Sequence, residues 1–105
     1  RFSMYGDSRF MSFTFPANDQ GLSEFPAAIH VDGSARVQSV RDTDGLYYQM
    51  ISHFHELTGI PAVLNTSLNS SWEPIVHRPE DALAFLNVTA TEYLSIGNFL
   101  VSKSP

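Results

Sequence analysis

The stretch from Pro61 to Val76, P-A-V-L-N-T-S-L-N-S-S-W-E-P-I-V, constrains this chain more than any other. It opens on an apolar run, Ala62, Val63 and Leu64, and turns abruptly polar at Asn65, Thr66, Ser67, Asn69, Ser70 and Ser71. That change predicts a buried strand ending in a loop of hydroxyls and amides, groups that both donate and accept hydrogen bonds. Open α/β sheets hold ligands in the crevice beyond the carboxyl ends of their strands. The loop is therefore a candidate site by position and by chemistry. Asn, Ser and Thr are also common turn formers, so a plain turn segment is the competing reading.

The flanking sequence suggests how such a strand would be framed. Residues 1–9 have no clear period and read as a loop leading in. Phe10 to Phe15 is rich in β-formers and ends at Pro16, which predicts a strand. Ala17 to Phe25 reads as a surface linker. Pro26 to Val31 and Ala35 to Val40 flank Asp32-Gly33, the pattern of a hairpin with Arg36 and Gln38 on one face of its second strand. Asp42, Thr43 or Asp44 can cap the helix that follows, in which Leu46, Tyr47, Met50, Ile51, Phe54 and Leu57 recur every three or four residues. Gly59 is placed to end it. Pro79-Glu80-Asp81 marks a second helix start, with a proline in the first turn and two acids at the positive end of the dipole. Glu92 to Ile96, Gly97-Asn98 and Phe99 to Ser102 predict another hairpin. The expected fold class is α/β, a mixed sheet with helices packed on it.

Composition narrows the function. At 105 residues the chain is one domain or part of one. A net charge of -5 argues against nucleic-acid backbones as the main partner, though a small anion held by one or two arginines fits. The absence of cysteine excludes disulfides and thiolate chemistry. No apolar run is long enough for a membrane helix. His30, His53, His55 and His77 form no metal-ligand spacing, and no phosphate-binding glycine loop or nucleophile elbow is present. Sequons at Asn65, Asn69 and Asn87 are short motifs, common by chance. A secreted, glycosylated interaction domain would rest on them alone.

What remains is a polar constellation in two parts. One is His30, Asp32 and Arg36 around the first hairpin; the other is Asn65, Thr66, Ser67 and Asn69. Arginine suits two-point binding of phosphate or carboxylate, and a hydroxyl-and-amide loop offers neutral donors. Taken singly, Arg36 reads as a surface arginine and Asp32 as a turn residue. Together the two parts point to an anion site.

Several stretches resemble the C-terminal region of the O-carbamoyltransferases of nodulation-factor and antibiotic tailoring. They are P-A-A-I-H-V-D-G-S-A-R-V-Q-S-V (Pro26 to Val40), L-T-G-I-P-A-V-L-N-T-S-L-N (Leu57 to Asn69), E-P-I-V (Glu73 to Val76), P-E-D-A-L (Pro79 to Leu83) and G-N-F-L-V (Gly97 to Val101). They occur in the family's order. The resemblance implies a YrdC-like twisted mixed sheet with flanking helices, of which this chain would be the C-terminal part. It implies ATP, with its magnesium, and carbamoyl phosphate as substrates in forming carbamoyl adenylate. A neighbouring N-terminal domain of actin-like ATPase fold, which carries the iron, would then transfer the carbamoyl group to a substrate hydroxyl. A cytoplasmic location is implied, with no nucleic acid or membrane partner. Ser67-Leu68-Asn69 matches the family's S-x-N motif, and Arg36 falls where the family has a ligand-binding arginine. Arg36, Ser67 and Asn69 are thus the expected catalytic residues. Arg36 would bind phosphate or carbamoyl oxygens, and Ser67 and Asn69 phosphate or the carbamoyl amide. Asn65 and Thr66 would shape the loop, with His30 and Asp32 as supporting contacts.

The sequence also departs from the family. Ser71-Trp72 replaces a usual Arg-Gly pair, which removes a cation and the glycine's ready positive φ. Leu68 replaces a usual Phe, and Ser34 a usual Thr. The K-x-R motif that YrdC-like domains carry upstream is absent, so the chain by itself is expected to be catalytically incomplete. A non-catalytic nucleotide- or anion-binding module that keeps the fold is the alternative function.

Overall fold

The computed structural model describes residues 1–2, 4 and 6–104; of the expected lead-in loop, Ser3 and Tyr5 lie outside the described residues, as does Pro105. The chain is mixed α/β and divides into two compact units, Arg1–Leu64 and Asn65–Pro105. No described helix is long and apolar enough to cross a membrane.

In the first unit, β1 (Thr14–Pro16) pairs antiparallel with β2 (Ser34–Arg36), with Phe15 opposite Ala35. Strand side chains alternate between faces, so Phe15 and Ala35 share one face, and both are buried. The same alternation sends Arg36 to the opposite face, where it is exposed. The strand expected over Phe10 to Phe15 is thus confined to its end, and Phe10 and Phe13 are exposed.

The expected first hairpin is present only as a closed loop. His30 N–H donates to the Ser34 carbonyl at 2.7 Å and Gly33 N–H to the His30 carbonyl at 2.9 Å. Gly33 takes φ +80°, as a three-residue loop of this kind requires. No ladder continues from it: Pro26–Ala28 is a 3-10 turn begun by Pro26, and β2 takes β1 as its partner instead. The ladder stops at Arg36, so Gln38 lies beyond the strand.

The expected linker contains a helix, α1 (Asp19–Glu24), capped by Asn18, whose Oδ1 accepts from Gly21 N–H at 2.9 Å. The chain's start docks on it. The Arg1 carbonyl accepts from Asn18 N–H at 2.8 Å, and Arg1 Nε pairs with Glu24 at 2.5 Å. That bond and a second from Gln20 hold the Glu24 carboxyl below its ordinary range. Gly21 is buried, and a Cβ there would overlap the Arg1 carbonyl oxygen and crowd Ala17 Cβ at 3.2 Å. Helix propensity alone favours alanine by about 0.5–1 kcal/mol, whereas overpacking costs about 1–3 kcal/mol. Gly21→Ala should therefore lower the urea midpoint, and an unchanged or higher midpoint would refute this docking.

Residues 7–9 are laced to 39–44 by reciprocal Ser8–Ser39 bonds and by the ion pairs Asp7–Arg41 and Arg9–Asp44. Asp42–Asp44 forms a 3-10 turn in which the Asp44 carboxylate accepts Arg41 N–H at 2.8 Å. None of the three acidic-turn residues caps the next helix; Gly45 precedes it. That helix, α2 (Leu46–Thr58), follows the expected period and ends at Gly59. His53 meets Glu56 at 3.2 Å on its exposed surface.

The second unit begins with the polar loop. Residues 62–64, which end the first unit, form no strand before it, since an apolar triplet gains little from extension without a neighbour to complete its backbone bonds. The helix α3 (Pro79–Val88) starts at Pro79 as expected, and Ala82 and Leu86, one turn apart, are its buried residues. The second hairpin joins β3 (Tyr93–Ile96) and β4 (Phe99–Ser102) through Gly97-Asn98, with Ile96 opposite Phe99. The described strands thus form two separate antiparallel pairs rather than one mixed sheet.

Candidate functional site

The two parts of the expected site lie in different units, and each has its own local logic. In the first unit the turn before β2 is locked by Asp32. Its Oδ1 accepts from Ser34 Oγ at 2.6 Å and from Ser34 N–H at 3.0 Å. The Ser34 hydroxyl, then the Ser34 amide, hold the Asp32 carboxyl below its ordinary value, with His30 adding a smaller charge effect. Asp32 is therefore an ionised group that shapes the turn; a carboxylate would repel a phosphate placed against it. His30 supplies both backbone bonds that close the loop, and its side chain is exposed.

Arg36 stands two residues beyond this turn, on a backbone held in register opposite Thr14. The chain has six cationic side chains, and among the described residues five have acceptors. Arg1 meets Glu24, Arg9 meets Asp44, Arg41 meets Asp7, Arg78 meets Asp81, and Lys103 Nζ donates to the Thr89 carbonyl. Arg36 makes no side-chain hydrogen bond or ion pair with a described residue. Its backbone is fixed and its guanidinium is exposed, an arrangement suited to an external anion.

In the second unit Asn65, Thr66 and Ser67 are exposed, with no side-chain hydrogen bonds among the described residues. Their hydroxyls and amide face solvent as available donors. Asn69 differs: its Nδ2 donates to the carbonyls of Ser70 at 3.2 Å and Glu73 at 3.1 Å. Its amide hydrogens brace the loop, which leaves its carbonyl oxygen for any ligand. Val76 N–H closes the base of the loop on the Leu68 carbonyl at 2.9 Å.

Two bracing residues, Ser70 and Glu73, were not anticipated. Glu73 N–H donates to the Ser70 carbonyl at 3.2 Å, and Ser70 Oγ to the Glu73 carboxylate at 2.8 Å. The signal was present as an S-x-x-E spacing, which elsewhere marks helix starts through side-chain-to-backbone bonds; here the two side chains bond each other instead. Ser71 and Trp72 form the tip of this β-turn. Trp72 does not take a positive φ.

A shallow groove of the second unit runs between Glu73–Arg78 and α3, over Phe85 and Val88. None of Asn65 to Asn69 lines it, and its rim arginine, Arg78, is held by Asp81 at 3.2 Å through two nitrogens. Among the described residues no group of three or more histidines and acids is gathered to hold a metal.

Comparison with known proteins agrees with the motif pattern. Residues 1–103 match the family model described as carbamoyltransferase C-terminus. The chain is 38% identical over 95 residues to the nodulation protein NolNO of Sinorhizobium fredii, which covers 90% of this chain and 14% of that protein. It is 39% identical over 97 residues to the nodulation protein NolO of Bradyrhizobium diazoefficiens, 91% of this chain and 18% of that protein. It is 34% identical over 73 residues to the 3'-hydroxymethylcephem-O-carbamoyltransferase of Amycolatopsis lactamdurans, 69% of this chain and 14% of that protein. The chain therefore spans 14% to 18% of the length of these relatives. By these matches the chain belongs to the carbamoyltransferase C-terminus family.

Proposed function

We propose that this chain is part of an O-carbamoyltransferase and helps hold ATP and carbamoyl phosphate while carbamoyl adenylate forms. In this reading it is the C-terminal part of a YrdC-like domain, working in the cytoplasm where ATP is supplied. Hydrolysis of carbamoyl phosphate yields carbamate and inorganic phosphate. A carbamate oxygen then bonds the α-phosphorus of ATP, and pyrophosphate leaves. A neighbouring domain of the same protein, which holds the iron, passes the carbamoyl group to a substrate hydroxyl and AMP departs.

The observation that carries this reading is Arg36, an exposed cation without a described acceptor in a chain of net charge -5. Phosphoryl and adenylyl chemistry shifts negative charge between oxygens, and a preset guanidinium stabilises it without reorganising. Asp32 keeps the turn before β2 in shape. Ser67 and Thr66 offer neutral donors to phosphate or carbamoyl oxygens, and Asn69 a carbonyl oxygen to the carbamoyl amide. Magnesium enters with ATP as part of the substrate.

Exchange of labelled pyrophosphate into ATP by the intact protein tests the reading. Exchange should require carbamoyl phosphate, and Ser67→Ala should slow it about three- to tenfold, the worth of one neutral hydrogen bond. Equal background exchange in both proteins would sink the catalytic role. That result would favour a second reading, a binding module without turnover. The Ser71-Trp72 tip motivates it, because a cation and a glycine usual in the family are missing there.

A further inference from the structure

We propose that Trp72 is a stacking surface for the adenine ring of the nucleotide, a role that rests on the ATP-dependent reading above. Trp72 is 98% exposed, although indoles carry large apolar surfaces that folded proteins mostly cover. Turn tips ordinarily take small or polar residues, and a tryptophan at this one buries almost nothing of its own surface.

The backbone beneath the ring is well held. The Ser70–Glu73 turn is closed by its own backbone bond, by Ser70 Oγ on the Glu73 carboxylate, and by Asn69 Nδ2 on two carbonyls. The bond from Val76 N–H to the Leu68 carbonyl ties the loop at its base. A ring presented on a preset turn loses little further freedom on binding. Every nucleobase has a π-face, so an exposed indole is a ready platform for one.

The same loop offers Ser67, exposed and without a described partner, five residues before the ring. One loop thus combines a hydroxyl donor for an anion with a flat aromatic surface. A nucleotide carries both complementary features in one molecule; carbamoyl phosphate carries only the anion.

The test compares ATP with inorganic tripolyphosphate, which keeps the charge and lacks the ring. Titration calorimetry on the intact protein would use wild type, Trp72→Ala and Trp72→Phe. The exposure of Trp72 makes loss of folding in the variants unexpected, and circular dichroism checks it. Trp72→Ala should weaken ATP about five- to a hundredfold, the range found for single base-stacking contacts. Tripolyphosphate affinity should not change, and Trp72→Phe should retain most ATP affinity. Unchanged ATP affinity in Trp72→Ala, or an equal loss for both ligands, would overturn the stacking role. Failure of the wild type to bind ATP is a different result: it overturns the nucleotide reading itself, and the role of Trp72 with it.

Discussion

Replacing Arg36 with alanine should reduce carbamoyl-phosphate-dependent ATP–pyrophosphate exchange by about ten- to a hundredfold while leaving the protein folded. The size follows from the loss of a charge-assisted contact, worth about 1.5–3 kcal/mol. The folding expectation follows from the structure. Arg36 is exposed at the end of β2, and the pair that fixes β2 against β1, Phe15 with Ala35, lies on the other face. No described side chain depends on its guanidinium, so no protein acceptor is orphaned by its removal. Arg36→Lys sharpens the test. Lysine keeps the charge but not the planar fork, so it should recover only part of the lost rate. Full recovery would mean that Arg36 acts as a point charge. Exchange unchanged in Arg36→Ala would remove it from the site, and Arg41→Ala, which breaks an exposed ion pair with Asp7, serves as the control for a nonspecific change of charge.

How much of this was legible in the sequence depends on the range of the interaction concerned. The helices α2 and α3 and the β3–β4 hairpin were, because a three-to-four period, a Pro-Glu-Asp start and a Gly-Asn turn act within a few residues. The partner of β2 was not. The Asp32-Gly33 loop closes as its sequence suggests, but Pro26 begins a 3-10 turn, and the ladder forms with β1, upstream in the chain. Helix α1 was hidden by Gly21, which reads as a breaker; the reason for glycine there is the approach of Arg1, a tertiary contact invisible to local pattern. The site shows the same division. The hydroxyls of the polar loop are plain in the sequence. The bracing role of the Asn69 amide needs the folded positions of Ser70 and Glu73. The isolation of Arg36 is less legible still, because it is defined by where the other five cations find their acceptors.

Leu86→Ala should be the most damaging single truncation in the second unit, at about 2–5 kcal/mol for removing a buried leucine side chain. Among the described residues only Ala82 and Leu86 are buried hydrophobics in that unit, and Leu86 is 3% exposed. Alanine at position 82 has little left to remove, so Leu86 supplies most of the large apolar contact on the buried side of α3. The neighbouring Leu83 is 42% exposed and provides the control; its truncation removes the same atoms from a half-wet environment and should cost less than half as much. The loss is large beside the roughly 5–15 kcal/mol that stabilises a whole domain. Hydrogen exchange locates it. The amides of Leu94 to Ile96 and Leu100 to Ser102 should lose protection in Leu86→Ala and keep it in Leu83→Ala, because α3 packs beside β3. Equal effects from the two truncations would mean that Leu86 is not the anchor of α3. The functional consequence runs through the same helix. Pro79 starts α3 at the end of the segment that begins with the Ser67 loop, so a frayed α3 loosens the strap that presents Ser67 and Trp72. Leu86→Ala should therefore weaken ATP binding without touching a ligand, and the weakening should diminish on cooling to a temperature at which the variant is again fully folded. A binding defect in Trp72→Ala or Arg36→Ala should persist there. That difference would separate residues proposed to meet the ligand from the one that holds the loop in place.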